Sequence, residues 1–123
     1  MSIAEKTGTE REENFTVEGM LMTDVGGLLE TGVLSTPGMI GMMERNCALL
    51  VQEFLPEGSA TVGFEVNVKH FAATPKGKPV RVRAELTGID GRKLTFKVEA
   101  HDDEKQVGAG THRRAIIEVK PKA

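Results

Sequence analysis

The chain has 123 residues, which is the usual size of one domain and too short for two ordinary ones. Its net charge is -2, and it has five Phe but neither Trp nor Tyr, so it lacks the basic field and the stacking rings that nucleic-acid-binding proteins use. A single cysteine, Cys47, excludes an internal disulfide, and no apolar run is long enough to span a bilayer. Together with a polar start that lacks the apolar core of a signal peptide, these features predict a soluble cytoplasmic protein without nucleic-acid or membrane partners.

The first part of the chain gives weak structural signals. Residues 1–13 are polar and show no periodicity, which predicts a disordered tail and a single folded domain over 14–123. A short extended stretch follows within 14–22. Residues 23–35 contain three glycines among scattered apolar side chains, which is typical of an irregular segment.

The next segment predicts one long helix. Ser35 and Thr36 each offer a hydroxyl for an N-cap, and Pro37 fits the first helical position because no N–H is needed there. Apolar residues then occupy most sides of the helix, which is typical of a buried helix. Pro56 and Gly58 end it.

Beyond Gly58 the period of the apolar residues changes to two, which indicates strands. Four strands are predicted, over 61–71, 79–89, 92–101 and 106–119. Because their connections are short, the strands pair antiparallel, and the earlier extended stretch brings the α+β sheet to about five strands. One such sheet, curled round a central helix, cannot cover it completely, so we expect a homodimer that completes the burial.

Three polar residues interrupt this apolar pattern. Glu44 lies on a mostly apolar helical stripe, so it is either a partly desolvated carboxylate or the start of an exposed helix edge. His70 ends the inward face of the strand 61–71, where it is a base, a ligand or a core histidine bonded to one backbone carbonyl. Thr36 is a helix cap or a reactive hydroxyl. On spacing alone these alternatives stay open.

Other sites have less support in the sequence. His101 and His112 give weaker signals than His70, and His101 lies out of phase with the apolar face of its strand. The histidine and cysteine spacings of metal sites are absent, as are the GxSxG elbow and the glycine-rich nucleotide loops. We therefore expect neither a metal nor a cofactor.

Three stretches carry a family resemblance: TPGMIGMME at 36–44, VKHFAATPKGKPV at 68–80 and VGAGTHRR at 107–114. They resemble hot-dog-fold thioesterases of the fluoroacetyl-CoA thioesterase type, over most of the chain. The resemblance implies a hot-dog fold in which Thr36, Glu44 and His70 are catalytic and the active sites lie at a dimer interface. It also implies supporting roles for Gly63 and Arg114.

The implied reaction is hydrolysis of a short acyl-CoA thioester, with coenzyme A as part of the substrate and not a cofactor. Glu44 would activate water or attack the carbonyl directly, while Thr36 would position water or act as nucleophile and His70 would assist proton transfer. The family's fluoroacetyl-specific members carry phenylalanines before the helix, where this chain has only aliphatic candidates, so we do not assign the fluoroacetyl group. The residues predicted to line the acyl pocket are Leu28, Leu29 and Leu34, and those predicted to bind the coenzyme A phosphates are Lys76, Lys78, Arg113 and Arg114.

Two other functions are compatible with this reading. A hot-dog hydratase or dehydratase would act on an acyl thioester and leave the thioester bond whole. A non-catalytic acyl-CoA-binding or sensing protein would keep the pocket and the dimer without turnover.

Overall fold

The computed structural model describes residues 2–119 and confirms the α+β architecture, with one long helix against a five-stranded antiparallel sheet. The helix is α1 (Thr36–Gln52), and short 3-10 turns lie at Ile3–Glu5 and Gly19–Leu21. The strands are β1 (Glu10–Thr16), β2 (Met22–Thr23), β3 (Val33–Leu34), β4 (Ser59–His70), β5 (Pro79–Asp90), β6 (Lys93–Asp102) and β7 (Gln106–Glu118). Within residues 2–119, no helix combines the length and apolar character needed to cross a membrane.

The strand order of the large sheet is β1-β5-β6-β7-β4, so β1 and β4 are its two edges. The helix packs across the sheet and contacts β5, β4, β1 and β6. Strands β2 and β3 form a separate two-stranded sheet, in which Met22 pairs with Leu34 and Thr23 with Val33. This small sheet leads directly into α1.

The core lies between α1 and the central strands. The inward faces of β5 and β6 are those that the period of two predicts, because every second residue is buried, namely Val80, Val82, Ala84, Leu86, Leu94, Phe96, Val98 and Ala100. The helix adds Met39, Met43, Cys47 and Leu50, which lie on one face at helical spacing. The other side of the helix is only partly covered, as expected when one sheet covers one helix.

The sheet begins earlier than the sequence predicts. Residues 10–13, predicted to belong to the disordered tail, form the first part of β1 and pair with β5. The side chain of Asn46 on α1 fixes this strand, since its Nδ2 donates to the Arg11 carbonyl at 2.8 Å and its Oδ1 accepts from Arg11 Nη1 at 2.7 Å. An ion pair between Glu10 and Arg83 adds to the pairing. Polar contacts of this kind leave no apolar period in the sequence.

The predicted inward face of β4 is wrong over its first half. Thr61 is buried there, whereas Val62 and Phe64 are each 45% exposed. A β-bulge between Gly63 and Glu65 shifts the pairing with β7 by one residue, and such a bulge changes the face that the following side chains occupy. Beyond the bulge Val66 is still 42% exposed, and only Val68 and His70, near the end of the strand, are partly buried as predicted.

Candidate active site

Two neighbouring hydroxyls at the N-terminus of α1 have different partners. Ser35 is the N-cap, because its Oγ accepts from the Gly38 backbone N–H at 2.9 Å. The Ser35 hydroxyl also donates to the Leu21 carbonyl at 3.2 Å, which connects the 3-10 turn Gly19–Leu21 to the start of the helix. Thr36 is the first helical residue, so its hydroxyl is not used for capping. The capping role considered for Thr36 therefore belongs to Ser35.

The Thr36 hydroxyl contacts His70 instead. Its Oγ1 lies 2.8 Å from His70 Nδ1, although the two residues are 34 positions apart in the chain. His70 Nε2 is buried and has no hydrogen-bond partner among residues 2–119. Burial lowers the pKa of His70, and the nearby backbone of Ala72 raises it by less, so the environment favours the neutral ring. A neutral imidazole beside a hydroxyl can accept its proton.

This pair opens into a cavity of about 320 Å³. The cavity walls come from the small sheet, the start of α1 and the segment after β4, and the lining residues are Thr23, Val33, Leu34, Ser35, Thr36, His70, Phe71, Ala72 and Ala73. A second cavity, of about 510 Å³, lies beside the segment that precedes α1. Thr23 lines both cavities, so they adjoin.

The three leucines predicted to line an acyl pocket occupy different places. Leu34 lines the cavity at Thr36 and His70. Leu29 lines the second cavity, which also includes Lys76. Leu28 is 83% exposed and is not among the residues that line either cavity.

Glu44 belongs to a second group of side chains, between α1 and the bulge of β4. Its Oε2 lies 3.8 Å from Arg114 Nη1, and its side chain is 40% exposed whereas that of Arg114 is 9% exposed. A Cβ built on Gly63 would lie only 2.8 Å from the same Oε2 and from His112 Cε1, so a larger residue here would force these side chains to move. The structure thus brings Glu44, Gly63 and Arg114 together.

Arg114 is held by several acceptors. Its Nε donates to Thr61 Oγ1 at 2.7 Å and its Nη2 to the Thr61 carbonyl at 2.9 Å. Burial lowers the pKa of Arg114, but the ordinary pKa of an arginine is so high that the side chain remains a cation. Arg114 is therefore an internal charge and not a surface cation for phosphates. Arg113 is more accessible and lies 5.0 Å from the ring centre of Phe64.

His112 completes this second group, although its signal in the sequence is weak. It is 2% exposed, its Nε2 lies 3.1 Å from Arg114 Nη1, and its Nδ1 lies 2.9 Å from the Glu65 carbonyl oxygen. The signal that identifies it is the phase of β7, because His112, Arg114 and Ile116 lie on one face of that strand. Thr61 was hidden by the bulge, which reverses the face of β4.

The expected catalytic set is divided between the two groups. Thr36 and Glu44 are eight residues apart on α1, which corresponds to about 12 Å along the helix axis. Thr36 contacts His70, and Glu44 contacts Arg114. Both groups contain side chains that can donate or accept a proton. Within one subunit, however, Thr36 and Glu44 lie on different turns of α1, so the two groups are separate.

Comparison with solved structures defines the class. A hot-dog-like protein from Thermanaerovibrio acidaminovorans is similar to this chain, with a TM-score of 0.86 and 23% identity over 96% of this chain and 89% of that chain. This likeness shows the hot-dog fold. The fluoroacetyl-CoA thioesterase FlK is similar with a TM-score of 0.85 and 33% identity, over 92% of this chain and 88% of that chain. A variant of FlK in complex with fluoroacetate and CoA gives 0.84 and 33%, over 91% and 94%.

The sequence places the chain within that class. Residues 16–120 match the profile of the fluoroacetyl-CoA-specific thioesterase family, FlK, and the chain belongs to this family. A fluoroacetyl-CoA thioesterase from Streptantibioticus cattleyicolor is 41% identical over 88 residues, which are 72% of this chain and 63% of that protein. The match therefore spans less than two thirds of that relative. The resemblance expected from the three motifs is confirmed.

Proposed function

We propose that this protein hydrolyses the thioester of a short acyl-CoA to give the free acid and coenzyme A. The observation that carries the proposal is the 2.8 Å contact between the Thr36 hydroxyl and His70 Nδ1, at the mouth of a cavity, in a member of a thioesterase family. A relative 41% identical to this chain and a similar solved structure are both fluoroacetyl-CoA thioesterases, which supports thioester chemistry.

In the proposed mechanism His70 is the base for Thr36. A threonine hydroxyl is a poor nucleophile unless a base lies beside it, and His70 meets that condition. His70 Nδ1 takes the hydroxyl proton while Thr36 Oγ1 attacks the thioester carbonyl, and the same proton passes to the departing thiolate of coenzyme A. Water then hydrolyses the acyl group from Thr36. The positive end of the α1 dipole favours the negative charge that develops on the carbonyl oxygen.

Glu44 acts on the attacking water in this proposal, from the other subunit of a homodimer. Within one subunit Glu44 lies two turns from Thr36, so a partner's helix has to bring a carboxylate to the Thr36 and His70 pair. An uncovered apolar surface supports such a dimer, since Val62, Phe64 and Val66 on the edge strand β4 are 42–45% exposed. A hydroxyl, a base and a water-activating carboxylate suffice for hydrolysis, so the proposal includes no metal or cofactor.

The acyl group proposed is short, because the cavity at Thr36 and His70 has a volume of about 320 Å³ and the buried Leu34 is part of its lining. Lys76, Lys78 and Arg113 are proposed to bind the coenzyme A phosphates. We also propose a cytoplasmic location, which is consistent with a single cysteine whose thiol is buried.

A thiol-release assay across acetyl, butyryl, isobutyryl and benzoyl-CoA tests the activity. We expect turnover of at least one short substrate and a loss of about 100-fold or more in kcat for Thr36→Ala and His70→Ala. His101→Ala is the matched histidine control and should retain activity. Tight binding of an acyl-CoA without thiol release would instead identify a sensor, and hydration of an enoyl-CoA would identify a hydratase.

Mixed dimers test the shared site. Thr36→Ala and Glu44→Gln subunits are each expected to be inactive alone. In a hybrid dimer one site combines both changes, while the other combines an intact Thr36 with an intact Glu44. Activity should therefore return when the two proteins are unfolded, mixed and refolded together. No recovery in verified hybrid dimers would show that Glu44 does not act across the interface.

A further inference from the structure

We infer that His112 is a positioning residue, which holds the Arg114 guanidinium away from direct bonding to Glu44 and so keeps the Glu44 carboxylate available for chemistry. The contact between His112 and Arg114 is observed in the structure and does not depend on any assumed activity. Its effect on turnover rests on the proposed function.

The His112 ring has little freedom to move. It is 2% exposed, and it stacks on Phe96 with ring centres 6.3 Å apart and an angle of 27° between the planes. On its other side the backbone of Gly63 comes so close that a Cβ there would lie 2.8 Å from His112 Cε1. The ring therefore presents its two nitrogens in fixed directions.

The partners of those nitrogens define a single tautomer. Arginine nitrogens only donate hydrogen bonds, so Nε2 of His112 must accept from Arg114 Nη1. Nδ1 must then carry the proton and donate to the Glu65 carbonyl at 2.9 Å. Glu65 immediately follows the β4 bulge, which shifts the register of this strand against β7. His112 is thus a neutral acceptor aimed at Arg114.

His112 Nε2 and Glu44 Oε2 face the same guanidinium nitrogen, and the bond to His112 fixes the direction in which that nitrogen lies. Nη1 lies 3.1 Å from His112 Nε2 and 3.8 Å from Glu44 Oε2, whereas a direct arginine–carboxylate bond is about 2.8 Å long. The two bonds to Thr61 fix the rest of the guanidinium. If His112 lost its acceptor, nothing would hold the Nη1 edge of the planar guanidinium, and the partly exposed Glu44 side chain would close the 3.8 Å gap and bind Nη1 directly. The carboxylate would then be less able to take a proton.

Two substitutions separate acceptor loss from loss of the ring. His112→Gln places an amide where Nε2 stands and can still accept from Arg114. His112→Asn reaches only the position of Nδ1, so it can still donate to the Glu65 carbonyl but leaves Arg114 without that acceptor. We expect His112→Asn to lower kcat about 10- to 100-fold with KM changed less than about 2-fold, and His112→Gln to recover most of the lost kcat. Equal losses in both variants, or a loss confined to KM, would overturn the inference.

A measurement on the wild-type protein does not depend on turnover or on whether the variants fold. Nitrogen-15 NMR at pH 7.5 should show the His112 ring protonated at Nδ1 and not at Nε2. A proton on Nε2 would overturn the inference whatever the activity is. The expected tautomer in a protein that hydrolyses no acyl-CoA would leave the His112–Arg114 contact in place and show that the proposed function is wrong.

Discussion

At the scale of single residues, the start of α1 shows how neighbouring side chains of similar chemistry take different roles. Ser35 caps the helix, while Thr36 contacts His70. The difference follows from one step along the backbone, because the N-cap residue is extended and the next is helical. The two hydroxyls therefore point to different partners.

This separation predicts opposite effects for two matched substitutions. Ser35→Ala removes the cap and should lower the free energy of unfolding by about 1 kcal/mol, with a smaller effect on kcat. Thr36→Ala should leave stability nearly unchanged and lower kcat about 100-fold or more, while Thr36→Ser keeps a hydroxyl near His70. Urea denaturation and the thiol-release assay together measure both effects. A large stability loss in Thr36→Ala would mean that its hydroxyl is structural.

At the scale of secondary-structure elements, β4 carries much of what the site requires. Before its bulge Thr61 is buried and Gly63 lies close to Glu44 and His112, and its last residue, His70, reaches the start of α1. The bulge also leaves Phe64 outside the core, under the cations Lys93 and Arg113. One extra residue in the strand therefore arranges both groups of the site.

Gly63→Ala tests the close approach at this bulge. The added Cβ would lie 2.8 Å from Glu44 Oε2, so the carboxylate has to move, and we expect kcat to fall about 10-fold or more. Gly41→Ala is the control, because a Cβ there meets nothing within 4 Å. In the helix it should raise the free energy of unfolding by about 0.5–1 kcal/mol. Unchanged kcat in Gly63→Ala would mean that the position of Glu44 is not critical.

The sequence predicts most of the fold and only part of the site. Regular apolar periods reveal α1, β5 and β6, since those elements bury one continuous face. The start of β1 was missed because Asn46 and cross-strand ion pairs hold it, and the bulge in β4 was missed because no apolar pattern marks it. The pairing of Thr36 with His70 depends on the tertiary structure. The spacing of the two residues in the sequence therefore does not predict their contact.

At the scale of the whole molecule, the half-buried His70 and the buried His112 make the free energy of unfolding depend on pH. Burial lowers the pKa of His70 and, together with the charge of Arg114, that of His112, from an ordinary value of 6.5. Below about pH 6.5 the unfolded chain binds protons at these rings more readily than the folded protein does. The free energy of unfolding is therefore largest at higher pH and decreases as the pH falls.

Urea denaturation at pH 8, 7, 6 and 5 should show this dependence. We expect the free energy of unfolding to be nearly constant above pH 7 and to decrease between pH 6.5 and 5. His112→Gln removes one of the two rings and should make the decrease smaller, whereas His101→Ala serves as the histidine control. Equal slopes for wild type and His112→Gln would show that His112 does not contribute.

The uncovered apolar face of β4 also has a consequence for how the protein behaves on dilution. If each site draws on two subunits across that strand, a separated subunit is inactive, and mass action sets the active fraction. Specific activity would then be constant in concentrated solution and decline as dilution approaches the dissociation constant. The total amount of chain present, as well as the amount of substrate, would determine the rate of hydrolysis.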